Sequence, residues 1–443
     1  MFNLLEECKK LISIRSDKEA GNRQLVDHLV PYCRSVGLNI TLQPGKDPKE
    51  INLIAHTVPS NSKDLCPQGI LLNTHLDTVP GGDTSRWTET GNDPFRPTLK
   101  GDLLFGRGSA DTKLDFLCKL KALENIQTSF SKPLREIFKI PIALVGTYGE
   151  EQGLLGARFI WETGVMHPKF ALVGEPCELK PVIAHKGVLY MRAWCSISVS
   201  QNISNIEEKI FRGKAAHGST PQLGENAIYK GIDWLLQKLK EEPNLEAIEV
   251  NGGTVHNIVP EECRIKVGRG ETPSKRTLFL KKFFELHQKT QDYLETHSDP
   301  EFDPPPTTTN VGVIRTSETK IEIEFDYRLI PQTDSEKLLK ILKQLQHEAH
   351  LDVILLDAPM VTRKDSEMAQ VVKTALQKVE LSVEFFTKSG NTEGAVYNAM
   401  GAQSIIFGPG LAKGNIHASN EFMYVSQLFK AAEFYEAFLR QFC

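Results

Sequence analysis

Three things are scarce in this chain. Positive charge is not in surplus: 52 Lys and Arg stand against 56 Asp and Glu, a formal net charge of −4. Nucleic acid and anionic membranes both call for a basic surface, so the balance argues against either as the main partner. Long apolar runs are missing too, and no stretch reaches the roughly 18 residues that a membrane-spanning helix needs. Paired cysteines are the third absence. Cys8, Cys33, Cys66, Cys118, Cys177, Cys195, Cys263 and Cys443 are scattered, with no CxxC spacing. A chain of 443 residues buries a large core without staples, so reduced thiols and a cytoplasmic location are expected. The opening stretch, MFNLLEECKKLISIRSD, carries acids early. Its apolar positions Leu4, Leu5, Cys8, Leu11 and Ile12 follow helical spacing, unlike the continuous run of a secretory leader.

What is present divides the chain in two styles. The first third alternates helix-like stretches (3–14, 20–36, 115–126) with short apolar strands (38–42, 69–73, 138–147, 170–174). That pattern predicts an α/β fold with a mostly parallel sheet sandwiched by helices. From Val188 the strands become amphipathic, as in KIEIEFDY at 320–327, and helices at about 225–241, 275–294 and 333–347 lie between them. This reads as an inserted α+β domain with one sheet face covered. A proline-rich connector at 300–310 shows no helix or strand pattern. The first style returns with a helix at 366–380, a strand at 404–407 and a closing helix at 424–442. The expected organisation is a discontinuous α/β domain, 1–187 and 358–443, interrupted by a domain at 188–357. Cys263 to Arg269 and Lys320 to Arg328, each a strand ending at Arg before a helix, hint at an internal repeat.

Five segments place metal-type ligands at strand ends, where open α/β sheets build their sites. His75-Leu76-Asp77 follows GILLNT. Gly106 to Lys113 (GRGSADTK) projects Asp111 from a glycine turn. Gly149-Glu150-Glu151 follows a buried strand, and adjacent carboxylates repel unless a cation or a shared proton relieves them. Glu175 follows FALVG, and His417 follows a Gly-Pro-Gly loop. Each alone also reads as structural, Asp111 for example as a helix cap. Together, two histidines and three carboxylates, with one carboxylate left over, suit two divalent cations sharing the Asp. Nitrogen and oxygen ligands without cysteine fit catalytic zinc, with Co2+ or Mn2+ also compatible. The leftover Glu suits a general base on a water activated by the pair.

With these motifs the chain resembles the two-zinc aminoacylase and metallo-exopeptidase family. That family includes acetylornithine deacetylase, succinyl-diaminopimelate desuccinylase, aminoacylases and carboxypeptidases. HLD, GRGSADTK, GEE, GEP and a late His-x-x-x-Glu occur in family order along nearly the whole chain. The resemblance implies that His75, Asp111 and Glu175 hold one zinc and Asp111, Glu151 and His417 the other. It makes Glu150 the general base and Asp77 the support of His75. It reads the inserted domain as a lid or dimerisation domain. His217, in AHGSTP, would meet the oxyanion, and Asn257, in GGTVHNIVP, would contact substrate.

Within the family the acetylornithine deacetylase branch is the most similar. GEPCELKPVIAHKG at 174–187, Arg86 and Trp87 with Asp93, Pro94 and Phe95, and Asn391-Thr392-Glu393 carry that likeness; Thr392 joins the substrate candidates. The expected reaction is hydrolysis of an N-acyl amino acid, with the dipeptidases as the alternative. Two departures bear on the pocket. Thr112-Lys113-Leu114 stands where the family has Met-Lys-Gly. Asp326-Tyr327-Arg328 and Gly268-Arg269 compete for the Asp-x-Arg element that would hold a substrate carboxylate, and the intact pattern favours Arg328. The lid is longer than the deacetylase's, which leaves open a homodimer or a lid-extended monomer. Hinges near Lys186-Gly187 and Ala358-Pro359 would let it close.

Overall fold

The computed structural model describes residues 2–197, 203–347 and 349–443. The chain divides into two compact units. The first comprises Met1–Ala184, Met360–Phe386 and Thr392–Cys443; the second comprises His185–Pro359 with the short segment Thr387–Asn391.

In the first unit one mixed sheet runs in the order Asn39–Pro44, Ile51–His56, Ile142–Thr147, Ile70–His75, Phe170–Gly174, Gln403–Ile406, Val182–His185, Met360–Val361. Its centre is parallel: Ile70–His75 lies between Ile142–Thr147 and Phe170–Gly174, and Gln403–Ile406 extends the series. Alternate residues of these strands enter different apolar clusters. Ile70, Leu72, Ile142, Leu144, Phe170 and Leu172 pack into one. Leu71, Ala143, Val145, Ala171 and Val173 pack into another. Both faces are therefore covered, which is why the strands are continuously apolar. One face carries Leu4–Ser13, Arg23–Ser35, Leu114–Phe130, Glu367–Lys378 and Val425–Leu439.

The expected helices recur within a few residues, as does the parallel centre of the sheet, and two strand bounds need correction. One further strand, Ile51–His56, was not expected and pairs antiparallel with both Asn39–Pro44 and Ile142–Thr147. The strand expected at 138–147 starts only at Ile142, since the chain first makes a helical turn at Leu134–Ile137. The connector at 300–310 ends inside a strand, Thr308–Thr316, whose apolar residues join the core of the second unit.

That second unit holds an antiparallel sheet in the order Ser204–Arg212, Glu262–Arg269, Leu245–Gly252, Thr308–Thr316, Lys320–Leu329, Gly187–Ser196, His350–Asp357. Ile321, Ile323, Phe325, Tyr327 and Leu329 face the helices Ala227–Glu241, Lys275–Glu295 and Ser335–Leu342. Glu322, Glu324, Asp326 and Arg328 alternate onto the other, polar face. The register puts Tyr190 beside Asp326 and Arg192 beside Glu324 on that face.

Candidate active site

Parallel strands end on the same side, so the residues that follow them collect along one edge. In register, His75 pairs with Thr147 and Thr74 with Gly174. The next residues of each strand are the candidates: His75 itself, then Asp77; Glu150 and Glu151 after Thr147; Glu175 after Gly174.

Asp111 reaches this edge from the loop before Leu114–Phe130. Gly108 turns that loop at φ +77, and a Cβ there would lie 2.7 Å from Lys113 and Thr78. The Asp111–Thr112 peptide bond is cis. The loop is tied down by Glu421, the last residue of the His-x-x-x-Glu motif. One oxygen of its fully buried carboxylate accepts the backbone N–H of Ala110 (2.9 Å) and of Asp111 (3.1 Å). The other accepts from Arg107 Nη1 at 2.6 Å. Arg107 in turn lies over the buried Trp87 ring, 5.0 Å from its centroid.

Asp111 stands between two imidazoles. Its Oδ1 is 3.2 Å from His75 Nε2, and its Oδ2 is 3.1 Å from His417 Nε2. His417 Nε2 is also 3.0 Å from Glu151 Oε1. The ligand atoms of Asp111, Glu151 and His417 all lie within 4.8 Å of one another. His75 Nδ1 is 3.1 Å from the Asp77 carbonyl oxygen and 3.7 Å from its carboxylate. A proton on Nδ1 satisfies that carbonyl and leaves Nε2, the nitrogen facing Asp111, as the lone-pair atom. The Asp77 carboxylate accepts the backbone N–H of Glu150 (3.1 Å) and of Glu151 (3.2 Å). Asp77 therefore ties the two glutamates to the His75 strand end.

The electrostatics show a surplus of negative charge. Burial pushes Glu150 well above the usual carboxylate range; His75 opposes this, while Glu175, Glu151 and Asp111 add to it. Burial also raises Glu151, against its hydrogen bond with His417. Burial would raise Asp111, yet hydrogen bonds from His417 and His75 outweigh it and hold its carboxyl far below the usual range. Burial likewise disfavours the His417 cation, but Asp111 and Glu151 raise its pKa to about 10. Hence carboxylates and imidazoles are clustered by a fold that supplies little compensating charge of its own. The donor set fits two divalent cations: each oxygen of Asp111 faces a different imidazole, the arrangement a bridging carboxylate needs.

Glu393 belongs to the same neighbourhood. It accepts from Thr147 Oγ1 at 2.8 Å, and burial raises its pKa to about 7. Neither it nor Glu421 stood among the sequence candidates; the late His-x-x-x-Glu spacing was the one available signal for Glu421. Thr392 is fully buried, and its hydroxyl accepts the N–H of Gly394 at 3.1 Å.

The remaining candidates lie in the second unit. His217 Nδ1 accepts the backbone N–H of Ser219 (3.1 Å), so in the neutral ring the proton is on Nε2. Asn257 is half-buried in the turn after Leu245–Gly252. Arg328 donates from Nε (3.1 Å) and Nη2 (2.8 Å) to Asp326 Oδ2, and both residues are buried. Arg269 is exposed instead and pairs with Glu242 at 3.0 Å.

Comparison with known proteins gives the chain's family. The model of peptidase family M20/M25/M40 matches residues 71–441. An acetylornithine deacetylase from Klebsiella pneumoniae (strain 342) is 33% identical over 259 residues, which span 55% of this chain and 59% of that one. Among solved structures, an aminoacylhistidine dipeptidase from Vibrio alginolyticus superposes with a TM-score of 0.68 at 17% identity, covering 99% of this chain and 96% of that one. A metallo-carboxypeptidase from Sulfolobus solfataricus gives 0.64 at 17% identity, covering 100% and 99%. At such identities these structures bear on the fold alone. The family match, spanning most of the chain, decides the matter: the protein belongs to peptidase family M20/M25/M40 and is one of its metallo-hydrolases.

Proposed function

We propose that the protein hydrolyses the amide bond of a small N-acyl amino acid, with N-acetylornithine the first candidate, giving ornithine and acetate. The observation that carries the reading is Asp111 set between His75 and His417, with Glu151 on the second imidazole. On this reading His75, Asp111 and Glu175 hold one zinc, and Asp111, Glu151 and His417 the other; Co2+ or Mn2+ would suit the same ligands. When bound, the pair supplies Lewis acidity, lowering the pKa of water and polarising the scissile carbonyl.

The chain does the rest. Glu150 takes a proton from the attacking water at its carboxylate and returns it to the leaving amine nitrogen. Asp77 holds the backbone of Glu150 and Glu151 in place through two amide hydrogen bonds. His217, with its proton on Nε2, is the donor proposed for the developing oxyanion. Asn257 and Arg328 are the proposed substrate contacts. Nε and Nη2 of Arg328 are already engaged by Asp326, so the guanidinium is held rigid while Nη1 remains for a substrate carboxylate. Thr392, with its hydroxyl on Gly394, is proposed to shape the pocket rather than donate into it.

The deacetylase relative supports the choice of N-acetylornithine, and a role in amino-acid metabolism such as arginine biosynthesis follows from it. A dipeptidase is the second reading, favoured by the length of the inserted segment, with its extra sequence around 270–320. Among the described residues no helix is long and apolar enough to cross a membrane. A small-molecule substrate is proposed from the deacetylase relative, and a cytoplasmic location from the free cysteines.

The deciding assay is acetate release from N-acetylornithine by the zinc-loaded protein, with Glu150→Ala as control. Release by the wild type, and a loss of at least about 10²-fold in the variant, supports both chemistry and substrate. An inactive wild type that cleaves dipeptides shifts the assignment to the second reading. Inactivity on both overturns the proposal.

A further inference from the structure

The turn that carries Asn257 is held by one buried side chain, Asn310. This residue is 1% exposed and lies in the strand Thr308–Thr316. Its Nδ2 donates to the carbonyl of His256 at 2.9 Å and to that of Ile258 at 3.1 Å. These are the two carbonyls on either side of Asn257.

The direction of the Asn310 amide follows from its neighbours. Asn226 caps the helix Ala227–Glu241, and its Oδ1 accepts the N–H of Ile228 (2.9 Å) and Tyr229 (3.3 Å). An oxygen so engaged leaves Asn226 Nδ2 facing Asn310. That Nδ2 donates to Asn310 Oδ1 and to the Val311 carbonyl, both at 3.0 Å. Asn310 must therefore turn its oxygen to Asn226 and both amide hydrogens to the turn.

The turn passes this constraint on. The Asn257 carbonyl accepts the N–H of Gly218 at 2.7 Å, and His217 makes a β-bridge with Ile258. The packing is close as well: a Cβ on Gly312 would lie 2.2 Å from the His256 oxygen.

We propose that Asn310 is a positioning residue, which sets Asn257 and His217 in a fixed register with one another. The inference rests on the reading of those two as substrate-contacting residues. No other side-chain type of this size presents two donors and one acceptor in a fan. Asp would face the same two carbonyls with oxygen alone, and Ala would leave them without a partner in a part-buried place.

The test uses the full chain, metal-loaded, with Asn310→Ala, Asn310→Asp and the milder Asn310→Ser. Hydrogen exchange is read by mass spectrometry over 214–220 and 252–260, with Lys320–Leu329 as an internal control. The expected result is faster exchange in the first two segments and unchanged exchange in the control strand, with Ser intermediate. In parallel, kcat/KM on N-acetylornithine, or on dipeptides if those are the substrates, is measured in a double-mutant cycle with Asn257→Ala. Asn310→Ala alone should lose roughly ten- to a hundredfold, and should lose less than that on top of Asn257→Ala, where only the part acting through His217 remains. Unchanged exchange in the two segments, or losses that multiply in full, overturns the inference. A silent Asn257→Ala with accelerated exchange supports the anchoring of the turn and instead removes Asn257 from the substrate contacts. Should Asn310→Ala fail to fold, the Ser and Asp variants carry the same readout.

Discussion

Glu421 accepts the backbone N–H of Asp111 at 3.1 Å although 310 positions separate them in the chain. The bridging candidate is thus aimed by a residue that lies four places after His417, so both ends of the second proposed cation site are set by one loop. Glu421→Gln keeps the shape but replaces one acceptor with a donor, against either Arg107 or the two amides. Metal affinity should fall by about 10–100-fold, the usual effect of losing such an outer partner. Chelator competition followed by metal analysis reads this directly, and unchanged affinity would count against Glu421 as the support of Asp111.

Metal content should also separate the two histidines. His417→Ala removes a proposed ligand of one cation and His75→Ala a ligand of the other. Each variant should retain fewer than two zinc ions per chain, whereas Glu150→Gln should retain both and lose turnover. If all three variants bind metal equally, the ligand assignment fails.

A buried pair beneath the strand ends should dominate the stability of the first unit. Lys119 and Asp115 are both fully buried with 2.6 Å between them. Lys119 also donates to Thr74 Oγ1 at 2.9 Å, and Tyr435 contributes its hydroxyl to Asp115 at 2.5 Å. Removing one charge strands the other, at a cost of about 3–5 kcal/mol. Lys119→Met should therefore be markedly destabilised in urea titrations, and Asp115→Leu added to it should recover much of the loss. Equal stability of Lys119→Met and wild type would contradict this.

Acid should weaken the second unit through two histidines. Burial lowers His287 from 6.5 to about 4. Burial also lowers His185 from 6.5 to about 4, against its hydrogen bond to the Lys186 carbonyl. Below pH 6.5 the unfolded chain binds protons that the folded one refuses. The stabilisation is thus complete above the unfolded value and is lost as pH falls towards 4. His287→Phe, which keeps the ring beside Phe283, should flatten the fall of Tm between pH 6.5 and 4. An unchanged pH profile would exclude His287 as a contributor.

Oligomeric state has a complementation test. The edge strand His350–Asp357 exposes Val353, Ile354 and Leu356 at 47%, 46% and 43%, and uncovered apolar edges favour pairing. If the oxyanion donor comes from a second copy, mixed Glu150→Ala and His217→Ala chains should regain activity that neither has alone. A lid-extended monomer would regain none.

The strand ends were legible because each stops at a change of chemistry: GILLNT into His75, FALVG into Glu175. Burial on both faces made those strands apolar throughout, and the ligands stand out against them. Ile51–His56 escaped for the opposite reason. It is fully buried yet contains Asn52 and His56, which belong in a core only with partners. Asn52 finds Gln43 and the Gly156 carbonyl, and His56 finds Thr41 and the Val58 carbonyl. Only the pairing shows which of these neighbours meet, and Gly156 is 104 positions away; the partners of Glu421 and Asn310 are remote in sequence as well. Between Arg269 and Arg328 the intact Asp-x-Arg pattern favoured Arg328, and the fold buries Arg328 and exposes Arg269.

The order of the ligands along the chain has a consequence for biosynthesis. On the proposed assignment, one cation needs only His75, Asp111 and Glu175, which leave the ribosome before the lid is made. The other waits for His417, almost the last part to appear. Yet Asp111 is aimed by Glu421, later still in the chain, so even the first three ligands gain their support only near the end of synthesis. Tight metal binding would then mark the moment when the two halves of the interrupted sheet have found each other.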